Sequence, residues 1–327
     1  MTGGSIMKQT TFASLAWSNK GKVTKREQFL AEMDAVMPWA RLLALIAPHY
    51  PTDGLGRPRK DLELMLRVYF LQQWFNLSDP QAEESLYDSE SMRRFAGIEL
   101  GETEVPDEST ILRFRHLLEE HQLTRAIFKE VRALLEERRL YLKSGTIVDA
   151  TIITAPSSTK NADGKRDPEM GQTKKGANWH FGMKVHIGTD KRGLTHELTA
   201  TSASVNDFTE MPNLLHGEET EIYGDRAYWS EEHRWLCHQV DIRYRVNRRG
   251  RRAHGITTAQ RAINRSRSRI RARVEHPFNV VKHLWGYAKV RYRGLAKNLA
   301  KAYTVFALAN LYLVRRRLLP LGAQCVL

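Results

Sequence analysis

The chain has 327 residues, 42% of them hydrophobic and seven of them Trp, enough for two packed cores and too apolar for a disordered chain. Lys and Arg number 51 against 37 Asp and Glu, a net charge of +14 that favours a polyanionic partner, nucleic acid above all. No apolar run approaches the ~18–20 residues of a membrane span, "MTGGSIMKQTTFASLAWSNKGK" lacks a signal-peptide core, and Cys237 and Cys325 are too few for a disulfide framework or a zinc site, so a reducing cytoplasm is the expected setting.

Residues 24 to 140 read as helical. "TKREQFLAEMDAVMPW" spaces Phe29, Leu30, Met33, Val36 and Met37 as on one helix face behind a Thr24 cap, and "KDLELMLRVYFLQQWFN" repeats the pattern. "SDPQAEESLYDSESMRRFAGI" offers Ser78 or Asp79 as a cap with Pro80 in the first turn, then a second short helix near 89 to 96. Asp107 opens the next periodic run. Short helices joined by tight turns are compatible with a helix-turn-helix, and equally with a plain bundle or a dimerisation module. Near residue 145 the texture changes. "GTIVDATIITA" is β-branched and reads as a strand. The polar stretch 155 to 178 reads as a loop, and "WHFGMKVHIGTD" and "LTHELTATSA" read as two strands joined at "DKRG". A helix at "NDFTEMPNLLHG", a strand at "TEIYGD", a capped helix at "SEEHRWLCHQV" and a strand at "DIRYRV" follow. A long basic helix then runs from about Thr258 toward Tyr287, and "AKAYTVFALANLYLVRRRLL" is an amphipathic close. The expected organisation is an all-α region over 1–140 and an α/β domain over 141–327. Three strands, then a helix, strand, helix, strand and long helix is the order of an RNase H-like fold, a mixed sheet flanked by helices.

Within that order three carboxylates stand out. Asp149 lies in mid-strand, where Asp is disfavoured and a lone buried carboxylate is costly. Asp225 follows the short strand "EIYG", where ligand groups gather at a sheet edge, and Glu275 sits on the long basic helix. They are 76 and 50 residues apart, so only folding unites them. With the first strand central, the fourth beside it and the last helix crossing that face, the three converge. All-oxygen ligands suit Mg²⁺ or Mn²⁺, and two such ions can drive phosphodiester chemistry. Arg271, Glu275 and Lys282 are spaced by four and seven, near whole helical turns, so they share a face suited to a phosphate. Pro277 removes a backbone donor and should kink or restart the helix after Glu275. Taken alone, Arg271–Glu275 is an ordinary i, i+4 ion pair worth about 0.3–0.5 kcal/mol.

The segments "VDATIITAPSSTKN", "RDPEMGQTKKGANWHFGMKVHIG", "LLHGEE" and "RARVEHPF", with "NLSDPQAEESLYDSESMRRFAGI" and "PDESTILRFRHLLE" upstream, resemble the DDE transposases of bacterial insertion sequences, in particular the insertion sequence five family. The resemblance runs over nearly the whole chain. It implies that Asp149, Asp225 and Glu275 are the catalytic, metal-binding triad, holding two Mg²⁺ ions for which Mn²⁺ can substitute. It also implies cleavage and strand transfer at terminal inverted repeats without a covalent protein–DNA intermediate. The residues 1–140 would be the DNA-recognition and dimerisation region, double-stranded DNA the partner, a homodimer the bound form, and the bacterial nucleoid the location. The wider group carries a Tyr–Arg–Glu–Lys motif. Arg271, Glu275 and Lys282 match its last three members, while Ser268 stands at the Tyr position. Lys174, Lys175 and Lys184 are further candidate phosphate contacts, and 155 to 178 would be a flexible loop beside the site. Two other readings share the fold: a DNA-binding repressor derived from a transposase, for which a costly mid-strand Asp149 has no use, and a structure-specific nuclease that cuts without joining.

Overall fold

A computed structural model describes residues 19–51, 59–160, 164–248 and 255–319. Residues 1–18, most of the amino-terminal stretch that lacks a signal-peptide core, and Cys325 lie outside them. Among the described residues seven α-helices come first: α1 (Lys25–Val36), α2 (Trp39–Ile46), α3 (Leu62–Phe75), α4 (Asp79–Asp88), α5 (Glu90–Ala96), α6 (Glu108–Glu120) and α7 (Leu123–Glu137). Their starts are where the sequence puts them. Thr24 and Glu27 form a reciprocal capping box, Ser78 and Gln81 form another with Pro80 in the first turn, and Asp107 Oδ1 accepts from the Thr110 N–H at 2.6 Å. α3 is buried on nearly every side from Leu64 to Trp74, which makes it the centre of this helical region.

The sheet begins with β1 (Thr146–Thr154), followed by β2 (Gly171–Lys175), β3 (Asn178–Thr189) and β4 (Thr195–Ser202). After α8 (Asp207–Glu210) come β5 (Glu221–Tyr223), α9 (Glu231–Gln239) and β6 (Arg243–Tyr244). β1 is antiparallel to β3 and parallel to β5, β5 is parallel to β6, and β4 lies antiparallel on the far side of β3. The spatial order β4–β3–β1–β5–β6 is the RNase H-like arrangement expected from the element order. β2 differs from expectation, because the polar stretch read as a loop contains a strand. It pairs with the outer half of β3 in line with β4, forming a hairpin that extends beyond the sheet. The rest of that stretch is tied down as well. Asp167 and Glu169 accept the backbone N–H groups of Gly294 and Leu295 at 2.7 and 2.6 Å, capping the last helix.

One face of β1 and β3, carrying Ile147, Ile153, Met183, Val185 and Ile187, joins a core that continues without a break into the amino-terminal helices. The opposite face, with Val148 and Ile222, forms a smaller core under Met211, Leu214 and Tyr228. The chain closes with α10 (Thr258–Arg271), a 3₁₀ turn (Ala272–Val274), α11 (Glu275–Phe278), a π turn (Asn279–Leu284) and α12 (Leu295–Leu318). The long basic helix is therefore not one regular α-helix. It tightens before Glu275 and widens after Pro277, while its backbone stays in the right-handed helical region throughout. α12 reads as amphipathic, yet its middle is buried on all sides from Lys301 to Leu311, packed against α7, β4, α1 and α3.

Candidate active site

Asp149 occupies the middle of β1 opposite Ile187, so it shares a face with Ile147, Thr151 and Ile153. That is the face crossed by the 3₁₀ turn at Ala272–Val274. The Asp149 side chain keeps 15% of its exposure. Its Oδ1 accepts from the Ala150 N–H at 2.8 Å and its Oδ2 takes the Arg271 guanidinium at 2.6 Å. Burial pushes its carboxyl up to about 7, the Asp225 and Glu275 carboxylates push the same way, and Arg271 and the Ala150 N–H oppose them.

β5 explains where Asp225 falls. The parallel register pairs Ile147 with Tyr223, and carrying it two residues forward sets Asp225 level with Asp149, just beyond the end of the strand. Gly224 precedes it because a Cβ there would press on Val148, Tyr228 and Val246 at 3.1 to 3.4 Å. Asp225 Oδ1 accepts from the Ala227 N–H at 2.7 Å, capping the short turn that follows, and the residue lines the cleft. Glu275 is the open member of the set, 60% exposed, with its Oε1 3.9 Å from Arg271. Lys282, on the π turn, donates to Thr151 Oγ1 and the Ile152 carbonyl, each at 3.0 Å. Its own burial lowers the Lys282 ammonium pKa, with Lys175 adding to that and Glu275 opposing it.

Asp149, Asp225, Glu275, Arg271, Lys282 and Lys175 thus line one cleft of about 910 Å³. Two expected phosphate contacts lie elsewhere or differently, and the motif's Tyr position serves the fold. Lys184 is on the opposite face of the sheet, paired with Asp207 at 2.8 Å and donating to the Val205 carbonyl, so the structure does not bring it to the cleft. Lys174 stands on the β2–β3 hairpin over the Trp179 ring. Ser268, at the motif's Tyr position, accepts a hydrogen bond from Asn247 at 3.0 Å and so fastens α10 to the sheet. Sequence reading missed Thr151, which period-two alternation from Asp149 would have found, and His276; His283, read from the sequence as structural or phosphate-facing, lines the cleft with it on irregular helix.

Among the described residues no three carboxylate, His or Cys groups are already gathered at metal-binding distances. The donor set nevertheless fits a hard divalent cation. It is all oxygen, two of the three carboxylates are level on neighbouring strands, and the positive charge beside Asp149 is supplied by Arg271. Residues 141–311, more than half of the chain, match the profile of the transposase DDE domain. The chain belongs to the transposase DDE domain family. Residues 18–117 of this transposase also match a transposase domain (DUF772). A chain of the crystal structure of the Mos1 strand transfer complex aligns over 91% of the transposase and 96% of its own length, at 15% identity and a TM-score of 0.27, a likeness too distant to inform the fold or the chemistry. No described helix is long and apolar enough to cross a membrane.

Proposed function

We propose that this transposase serves a bacterial insertion sequence of the insertion sequence five kind, cleaving at the element's terminal inverted repeats and joining the freed 3′-hydroxyl to target DNA. One observation carries the assignment of the chemistry: Asp149, Asp225 and Glu275, from the central strand, the end of its parallel neighbour and the crossing helix, line a single cleft bordered by cations. Those three carboxylates would hold the divalent ions, Mg²⁺ with Mn²⁺ as a substitute. When bound, two such ions promote attack by water or a 3′-hydroxyl and stabilise the oxygen that leaves.

The protein's own groups do the positioning. Lys282, anchored to Thr151 and Ile152 on the strand that carries Asp149, presents a fixed cation two residues along the same face. Lys175 adds another from the hairpin. Arg271 neutralises Asp149 in the absence of DNA and is placed to turn toward a phosphate, since Glu275 lies 3.9 Å from its other nitrogen. The helices of 1–140 would recognise the repeats and hold a second copy on the DNA.

The test is end mapping on a DNA fragment carrying the gene's own flanks, with Mg²⁺, beside Asp149→Asn. New 3′-hydroxyls at the borders of a terminal repeat, absent with the variant, are expected. Cleavage that survives Asp149→Asn overturns the triad, and protection of the borders without a cut marks a repressor. A second readout needs no DNA. Mg²⁺ should raise the thermal midpoint of the wild type by binding only the folded site, and should leave that of Asp149→Asn unmoved.

A further inference from the structure

The arginines of α10 are set apart from those that carboxylates balance on other helices. In the amino-terminal region four arginines pair with a carboxylate four residues away: Glu63 with Arg67, Glu90 with Arg94, Arg115 with Glu119 and Arg132 with Glu136. α10 has no acidic residue at all and buries none of its side chains. One of its edges is fastened down: Asn264 bonds the backbone of Arg248, Arg267 donates to the Val246 carbonyl, Ser268 takes Asn247, and Arg271 takes Asp149. The other edge, continued into the 3₁₀ turn, presents Arg261, Arg265, Arg269 and Arg273, spaced every four residues and all exposed. Arg265, Arg269 and Arg273 make no hydrogen bond or ion pair among the described residues, and Arg261 reaches only the Ile256 carbonyl at 3.4 Å. Like charges at i, i+4 destabilise a helix, and here three such pairs follow one another with no ion pair among the described residues to offset them.

We infer that this arginine edge is a binding track for the phosphate backbone of duplex DNA, leading into the cleft. The inference rests on the transposase reading and extends it to a surface outside the candidate active site. From Arg261 to Arg273 the track spans about 18 Å at 1.5 Å per residue, ending two residues before Glu275. Duplex DNA carries a phosphate charge about every 1.7 Å of axis, so each guanidinium meets a partner wherever the strand lies along it. Being made of backbone contacts, the track holds any sequence and sets where the duplex enters.

The test measures binding of the full-length protein to a fluorescent duplex of arbitrary sequence over a range of salt, with chelator present so that nothing is cut. For Arg265→Ala with Arg269→Ala, the slope of log affinity against log salt should become shallower by about 1.8, two phosphate contacts at about 0.9 each. The pair Arg265→Lys with Arg269→Lys should keep the wild-type slope, since charge alone is required. Arg316→Ala with Arg317→Ala, exposed cations near the end of α12, should also keep it. A wild-type slope in the Arg265/Arg269 alanine pair, or an equal loss in the α12 pair, overturns the track. A wild type that binds no duplex at all defeats the transposase reading instead, and the two failures are distinct.

Discussion

Gly193 and Pro277 meet at the carbonyl of Arg273. In a regular helix that oxygen would accept the N–H of residue 277, and proline has none. Gly193, in the turn between β3 and β4 at φ +87°, comes up against it, and a Cβ there would stand 2.5 Å from the oxygen. The turn thereby props the helix just where Glu275 leaves it. Gly193→Ala should cost about 1–3 kcal/mol from the left-handed backbone and the clash together, read as a lower midpoint in urea. Cleavage should fall further than stability explains, because Glu275 moves with Arg273. A variant as stable and as active as the wild type removes this coupling. The proline itself was legible as a disturbance of the helix, but its consequence was not. The chain neither ends nor restarts there, and only the fold shows which backbone fills the gap. Lys184 teaches the same limit. Alternation puts it on the face away from Met183, Val185 and Ile187, but nothing local says that Asp149 is on theirs or that Asp207 awaits it.

At the scale of elements, α12 carries a cation into the core. Lys301 is 4% exposed, its ammonium donating to Gln73 Oε1 at 3.1 Å and standing over the Tyr287 ring. Burial lowers its pKa from 10.5 to about 7; Arg291 and Arg115 add to the fall and Asp79 resists it. The unfolded chain keeps this proton up to about 10.5 and the folded chain only to about 7, so the unfolded state binds more protons in between. Stability from this residue therefore rises with pH across that window and is flat above it. Lys301→Met should be about 1–3 kcal/mol more stable near pH 7, after allowing for the partner that Gln73 loses. Denaturation at a series of pH values should show the gap to wild type closing toward pH 10. A gap that does not change with pH refutes the buried charge. Most elements were readable: caps at Thr24, Ser78 and Asp107 mark helix starts, and β-branched runs mark β1, β3 and β4. β2 was not, because "GQTKK" has no apolar alternation and owes its pairing entirely to β3. The tight and wide turns around Glu275 left no trace in residue spacing either.

For the whole molecule, the decisive feature is the single core shared by helices and sheet. Phe29 packs on Tyr312 and Trp74, Tyr69 bonds Thr304 at 3.0 Å, and Asn310 ties β4 to α12 through both backbone groups of Thr195. The change of texture near residue 145 marks a change of secondary structure, not a break in packing. One cooperative unfolding transition is expected for the full chain, followed by denaturant with both far-ultraviolet dichroism and Trp fluorescence. Two separated transitions would show that the halves are independent. A fragment beginning at residue 141 should expose the buried side of α12 and fail to give a cooperative transition of its own.

That shared core also bears on descent. Recombination between distant relatives can exchange recognition and catalytic modules freely only where a linker separates them. Here a crossover near residue 140 would set a foreign helical half against an α12 shaped for another, with Lys301 facing a stranger in place of Gln73. The expectation for such a lineage is that the two halves are inherited as one block and diverge by substitution on their surfaces.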